Sequence, residues 1–177
     1  DCNRPRMFYG CTVLTGVTIP DGVNSIGYST FCGCTGLTSI AIPERVTAIG
    51  DEAFKNCTGI TDVVVSDSVT EIGYRAFEGC SSLTSITLPF VGATKDGSKN
   101  THFGYIFGAF HYGGNPTCVP SGLQTLIITG GTSIADCAFY YCTGLTSIEM
   151  PNSMTSIGSR AFQSCSSITS IQFQGTA

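Results

Sequence analysis

Cysteine and histidine are the residues of this sequence that could bind a metal ion or act as a nucleophile and its base. The 177 residues include ten cysteines and two histidines, His102 and His111. The histidines are nine residues apart, so they cannot form a helical zinc site of the HExxH type. Cys32 and Cys34 are separated by one residue and no partner pair follows, which does not fit a zinc knuckle. We therefore expect neither a metal nor a cofactor.

Nucleophilic catalysis would need a cysteine beside a histidine, together with a third group that orients the histidine. Cys118 and His111 are close in sequence, but no orienting group is evident beside them. The serine motif G-x-S-x-G is absent, and so is a glycine-rich loop followed by Lys and Ser or Thr. We expect no enzymatic activity and no catalytic residue.

Six of the cysteines recur at one position of a 23-residue repeat. The spacing is 23 residues at each step from Cys11 to Cys80, and again between Cys142 and Cys165. Stacked repeats would place these side chains in a ladder within the core, where free cysteine behaves as a small apolar residue. Rungs about 5 Å apart do not exclude disulfides by distance, but pairing would require the side chains to turn out of the core. The ladder consists of Cys11, Cys34, Cys57, Cys80, Cys142 and Cys165.

The other four cysteines are Cys2, Cys32, Cys118 and Cys137. Cys32 and Cys137 occupy positions that hold charged or polar residues in the other repeats, so we expect their thiols to be accessible. A disulfide that involves Cys118 stays open, as does the redox state of all four.

The repeat itself predicts a solenoid that is mainly β with short α or 3₁₀ turns. A 23-residue unit is too small to bury its own apolar side chains, but stacked units bury those of their neighbours. The segment L-T-x-I-x-[IL] alternates as a strand with one buried face does. An Ile-Gly pair predicts a second extended piece, and the Ala-Phe segment after it a single α or 3₁₀ turn. We expect residues 1–177 to form one array of about seven repeats, as a fragment of a longer protein. The strand copies begin at Leu14, Leu37, Ile60, Leu83, Leu123, Leu145 and Ile168.

The full pattern is C-x-x-L-T-x-I-x-I-P-x-x-V-x-x-I-G-x-x-A-F-x-x-C. It resembles the BspA-like class of leucine-rich repeats, over nearly the whole chain apart from residues about 90–120. The resemblance implies a right-handed coil with a parallel sheet on one face. Members of this class are mostly secreted or cell-surface proteins, with roles in adhesion to host matrix proteins or to other cells. It offers no catalytic motif to carry over.

The repeat pattern fails over residues about 90–120, where one repeat is about 16 residues longer than the others. This irregular insertion contains both histidines and a concentration of aromatic residues. One interpretation is that Phe103, Ile106 and Phe107 replace missing core positions while the remaining residues loop out. The functional interpretation is an exposed aromatic patch, because long loops on rigid scaffolds often carry function and aromatic anchors dominate binding surfaces. The candidate binding residues are Tyr105, Phe110, His111 and Tyr112.

The outward face of the predicted sheet is small and weakly charged, and it lacks the Trp, Tyr and Arg typical of binding hot spots. The simplest interpretation is a solvated face. Val64 and Ile127 are apolar where polar residues are the rule. We therefore treat them as a candidate floor of a contact patch together with the insertion.

The charge and hydropathy of the chain restrict its partners. The net charge is −4 with no run of basic residues, which argues against nucleic acid. No apolar stretch is long enough to cross a bilayer. We expect a secreted or cell-surface module that binds a host matrix protein, a cell-surface protein or a glycan. The alternatives are a structural spacer without a ligand of its own, and a self-association module.

Overall fold

The structure is a computed structural model that describes residues 6–174. It contains a long series of short strands connected by turns. Cys2 lies outside the described residues. In chain order the strands are β1 (Ser25–Ile26), β2 (Ser39–Ile42), β3 (Ala48–Ile49), β4 (Asp62–Val65), β5 (Glu71–Ile72), β6 (Ser85–Leu88), β7 (Thr125–Ile128), β8 (Ser133–Ile134), β9 (Ser147–Met150), β10 (Ser156–Ile157) and β11 (Ser170–Phe173).

The four-residue strands form one parallel sheet in the order β2-β4-β6-β7-β9-β11. The two-residue strands form smaller parallel sheets, β1-β3-β5 and β8-β10. Pairing follows the repeat, as in the register of Ile40 with Val63. The architecture is therefore the predicted solenoid with a parallel sheet on one face.

Each long strand buries alternate residues, as its sequence predicts. In β2, Ile40 and Ile42 are 3% exposed, whereas Ser39 and Ala41 face solvent. Alternate side chains of a strand point to opposite faces, so one face supplies the core and the other remains outside. The segment after Leu14 lacks a strand, although Thr38 N–H still donates to the Thr15 carbonyl over 3.4 Å.

Two ladders run through the core beneath the sheets. Phe31 and Phe54 stack with ring centroids 5.3 Å apart, and the same packing joins Phe54 to Phe77 at 5.4 Å. The Cys57 thiol is fully buried and donates to the carbonyl of Phe31 over 3.0 Å. The same bond recurs at other positions of the predicted ladder, where the free thiols of Cys34 and Cys80 donate to carbonyls of the neighbouring repeat. Cys34, Cys57, Cys80 and Cys142 are buried, and Cys11 and Cys165 are half-buried.

The predicted accessibility of Cys32 is wrong. Its side chain is 6% exposed, and burial raises the pKa of its thiol. The alignment with polar residues led to this error, because cysteine is much shorter than the Lys, Glu and Gln side chains at the same position of other repeats and can be buried where they reach solvent. Cys137 is half-buried.

The Ala-Phe segments form short hydrogen-bonded turns of the 3₁₀ type, as the sequence predicts, and do not continue into a helix. Ala53 N–H donates to the Gly50 carbonyl over 3.3 Å, as in a 3₁₀ turn, but Phe54 N–H donates to Ala76 of the next repeat over 2.8 Å. Alternate N–H groups therefore tie neighbouring repeats together, which prevents a continuous helix. Among residues 6–174, helical structure lies in the insertion: 3₁₀ helices at Phe103–Phe107 and Tyr112–Gly114, and a short α-helix, α1, at Asn115–Cys118.

The insertion interrupts the small sheet but leaves the main sheet continuous. β6 and β7 pair across it, with Ile86 opposite Leu126. On the other side, Ile72 N–H donates to the Ala93 carbonyl over 2.8 Å, and Thr94 bridges antiparallel to Glu71, so this segment replaces a parallel short strand. The prediction that Phe103, Ile106 and Phe107 replace missing core positions is confirmed, because each of these side chains is at most 1% exposed.

Candidate ligand-binding surface

Two buried polar side chains hold the insertion in place. Asn115 is fully buried; its Oδ1 accepts from Gly104 N–H and its Nδ2 donates to the Ala138 carbonyl, both over 3.0 Å. His102 is 7% exposed, and its Nε2 lies 3.0 Å from the Ala109 carbonyl. Because a carbonyl only accepts, Nε2 carries the proton. These bonds satisfy buried polar groups and fix the path of the insertion.

Phe110 and Tyr112 project from this anchored segment. Phe110 is 78% exposed and Tyr112 is 47% exposed, with His111 exposed between them. The Phe110 ring packs against Tyr74 at a centroid distance of 5.2 Å. The Tyr74 hydroxyl donates to the Gly108 carbonyl over 2.7 Å, so a repeat turn supports the exposed ring from below.

Tyr105 differs from the other candidates because it is half-buried. Its ring lies 5.4 Å from Tyr74, and burial raises the pKa of its phenol. Most of the Tyr105 side chain therefore lies beneath the exposed residues of this segment, and only part of it is open to a ligand.

On the other side of the insertion, Tyr112 meets a pair of tyrosines from the next repeat. Its ring lies 5.5 Å from Tyr140 at an angle of 80°, and Tyr140 lies 4.6 Å from Tyr141. Tyr141 is 41% exposed. We refer to Phe110, His111, Tyr112 and Tyr141, with Tyr74 and Tyr140 beneath them, as the aromatic surface.

Sequence reasoning missed Tyr74, Tyr140 and Tyr141. Tyr74 follows the Ile-Gly pair of its repeat, and the two other tyrosines follow Ala138-Phe139 directly. Both places lie in turn segments, so their side chains were candidates for exposure. The sequence does not show which turns lie beside the insertion in the folded protein, so these tyrosines could not be assigned to its surface.

The edge of the aromatic surface carries charges that are paired. Arg75 lies 5.0 Å above the Tyr74 ring and 3.8 Å from the Glu52 carboxylate. Lys55 bridges Glu52 at 3.3 Å and Glu78 at 3.0 Å. Burial alone would raise the pKa of Glu52, but hydrogen bonds from Lys55 and Tyr28 lower it on balance. The network leaves little net charge at this edge.

Val64 and Ile127 lie on the main sheet instead of beside these rings. Val64 is 42% exposed and Ile127 is half-buried, and Thr87 of β6 stands between them in register. A shallow depression of about 460 Å³ adjoins Val64. At its rim the Asp67 carboxylate accepts a hydrogen bond from the Thr129 hydroxyl. The aromatic surface stands on the turns that follow the small strands.

In the part of the chain that the structure describes, no group of three or more His, Cys, Asp or Glu side chains is placed to hold a metal ion. None of the helices within residues 6–174 has the length and apolarity needed to cross a membrane.

Residues 4–97 and 121–177 match the family model of the BspA type leucine rich repeat region, in six copies. The chain belongs to this family. The unmatched segment, residues 98–120, holds three of the four exposed members of the aromatic surface. The family match therefore accounts for the solenoid, and the surface arises mainly from the segment that departs from it.

Solved structures show the same fold in bacterial proteins. A leucine-rich-repeat protein of T. pallidum is 23% identical with a TM-score of 0.59, over 92% of this chain and 69% of that one. A leucine-rich cell surface protein of Faecalibacterium prausnitzii is 33% identical with a TM-score of 0.52, over 94% and 43%. A leucine-rich-repeat protein of Bacteroides ovatus is 26% identical with a TM-score of 0.51, over 92% and 44%. The chain thus spans less than half the length of the last two. No curated protein matches it.

Proposed function

We propose that this chain is an extracellular, adhesion-type binding module that binds a protein or a glycan through the aromatic surface. The observation that carries this proposal is Phe110, which is 78% exposed yet held by a ring contact of 5.2 Å with Tyr74. Exposing a large apolar side chain costs free energy that a ligand would recover. A rigid scaffold also lowers the entropy lost on binding.

A secreted or cell-surface location is part of the proposal. The Faecalibacterium prausnitzii neighbour is described as a cell surface protein, and the chain belongs to the same repeat class. Its ligand would then be a host matrix protein, a cell-surface protein or a glycan on another cell.

We propose no enzymatic role, because most of the ladder thiols are buried and His102 is engaged inside the insertion. Burial raises the pKa of Cys57 to about 12, which removes the thiolate needed for nucleophilic attack at neutral pH. The Nε2 of His102 is bonded to a backbone carbonyl inside the insertion.

A structural spacer is the second candidate function. It is favoured by the main sheet face, whose outward residues include Ser39, Ser85 and Ser147 and offer little apolar area. A spacer would need no ligand of its own, so it predicts no saturable binding at either surface.

The test is binding of the chain to immobilised matrix proteins and mucin glycans. The variant of choice is the double substitution Phe110→Ser and Tyr112→Ser, because replacing the whole insertion would also remove the buried Phe103 and Phe107. Tyr9→Ser is the matched control, since Tyr9 is 57% exposed and lies near the other end of the chain.

Saturable binding that the double variant loses and the control keeps would support the proposal. Binding that instead depends on Val64, tested with Val64→Ser, would move the site to the sheet face. Absence of binding by the folded protein would favour the spacer. Light scattering must accompany the assay, because Ile171 and Phe173 at the C-terminal strand are more than 40% exposed and could promote self-association.

A further inference from the structure

The chemistry of the aromatic surface is specific enough to select among ligand classes. We infer that it binds a short, uncharged oligosaccharide; this inference rests on the proposed binding function.

The rings are oriented before any ligand arrives. Phe110 lies against Tyr74 at an interplanar angle of 34°, and Tyr112 meets Tyr140 edge to face at 80°. Each exposed ring therefore has a second ring behind it and keeps one side toward solvent. An aromatic face carries partial negative charge, which attracts the weakly positive C–H groups on the apolar face of a sugar ring. Little side-chain entropy remains to be lost on binding.

The size of the surface fits a few sugar rings better than a protein. Fully buried aromatic side chains each cover about 150–250 Å², so the exposed parts of Phe110, Tyr112 and Tyr141 offer on the order of 300 Å². A specific protein interface takes about 800 Å² from each partner. Between residues 14 and 156 of the described chain, Val64 is the one other exposed large apolar side chain, and it lies on the main sheet. The apolar patch is thus small.

The electrostatics favour an uncharged ligand. Arg75, the cation beside Tyr74, lies 3.8 Å from the Glu52 carboxylate and 3.5 Å from that of Glu78, so neighbouring carboxylates balance its charge and leave no net positive charge to attract an acidic sugar. His111 supplies polar recognition instead. Its Nδ1 accepts from Gly113 N–H over 3.0 Å, which leaves the proton of the neutral ring on Nε2 as a donor for a sugar hydroxyl.

The experiment presents the 177-residue chain with immobilised uncharged tri- to hexasaccharides of glucose, galactose and N-acetylglucosamine. Sialylated and sulfated counterparts and a panel of matrix proteins are tested in parallel. Phe110→Leu and Tyr112→Leu retain apolar volume but remove the ring face. Phe110→Trp keeps a ring face, and Tyr9→Leu is the control at a distant exposed tyrosine.

We expect saturable binding of uncharged saccharides. Phe110→Leu and Tyr112→Leu should each weaken the affinity by about three- to tenfold, the effect of one aromatic contact. Tyr9→Leu should leave the affinity unchanged, and Phe110→Trp should raise it because the larger ring offers more contact area. Circular dichroism and thermal melting show that each variant is folded, which is expected because both substituted side chains are exposed.

Full saccharide binding by Phe110→Leu would overturn the inference, as would a preference for the charged saccharides. Binding of matrix proteins alone, lost in Phe110→Leu, would overturn the saccharide inference and leave the proposed binding function standing. No binding of either class by the folded chain would overturn both.

Discussion

The hydroxyl of Tyr74 donates a 2.7 Å hydrogen bond to the carbonyl of Gly108. This bond joins a turn of the regular array to the end of the first 3₁₀ helix of the insertion. Gly108 has a φ of 103°, a backbone conformation that favours glycine, and it reverses the chain toward Phe110. One repeat residue therefore both fixes the insertion and supports the exposed ring.

Tyr74→Phe should loosen the insertion without removing the ring beneath Phe110. A single hydrogen bond contributes about 0.5–1.5 kcal/mol, so the loss should be of that size and local. Amide hydrogen exchange of residues 103–112 measures it directly, since repeat arrays can open region by region. Tyr9→Phe, at an exposed tyrosine, is the control. Unchanged protection in Tyr74→Phe would show that the bond contributes nothing to the order of the insertion.

The regular part of the fold follows from the sequence because it depends on one period. Aligning Leu83 with Leu123 correctly predicts that their strands are equivalent, and Ile86 does pair with Leu126 although 40 residues separate them. The buried face of each strand follows from the same alternation. Stacking requires a shared register, so a single repeat pattern determines how each regular repeat packs on the next.

The aromatic surface could be predicted only in part. Composition alone identifies Phe110, His111 and Tyr112, because they belong to the aromatic-rich insertion and are not among its core residues. Tyr74 and Tyr140 depend on where the insertion folds back, and no period encodes that path. The burial of Cys32 was missed for a related reason, because burial depends on the surroundings of a side chain in the folded protein and not on its repeat position alone.

The ladder thiols should resist alkylation in the folded protein. Burial raises the pKa of Cys57 to about 12 and raises the pKa values of Cys80 and Cys142 as well, so almost no thiolate forms near pH 8. Iodoacetamide labelling followed by peptide mass spectrometry should find the half-buried Cys118 and Cys137 modified before Cys57, Cys80 and Cys142. Cys32 should be protected, in contrast to its prediction from the alignment.

The control for this labelling is the same reaction in guanidinium chloride, where all of these thiols should react. Labelling of Cys80 as fast as Cys118 under native conditions would contradict the buried ladder.

Acidification should loosen the insertion through His102. Burial lowers the pKa of its imidazole below the usual value of 6.5, and the exposed His111 acts in the same direction. The unfolded state therefore takes up the proton first as the pH falls. Stability is full above about pH 6.5 and declines as the pH drops toward the folded-state pKa. Exchange protection of residues 102–109, corrected for the intrinsic pH dependence of exchange, should therefore be lower at pH 5 than at pH 7.

His102→Gln tests the assignment, because the glutamine amide can donate to the Ala109 carbonyl without titrating near neutral pH. This variant should lose most of the pH dependence, whereas His111→Gln should keep most of it. A pH response that survives in His102→Gln would place its origin elsewhere.

Gly73→Ala should disrupt the contact between neighbouring repeats. A Cβ at this position would lie 2.5 Å from the carbonyl carbon of Gly50 and closer still to the backbone nitrogen of Asp51. Backbone atoms cannot move aside as a flexible side chain can, and Asp51 Oδ1 is also fixed by a 2.7 Å bond from Tyr74 N–H. Overpacking of this kind costs about 1–3 kcal/mol or more. Gly22→Ala is the matched control, since nothing lies within 4 Å of a Cβ there, and it should shift stability by less than about 0.5 kcal/mol. The two variants are compared by urea unfolding followed by circular dichroism. Equal midpoints would mean that the backbone of the neighbouring repeat moves away from Gly73 without a loss of stability.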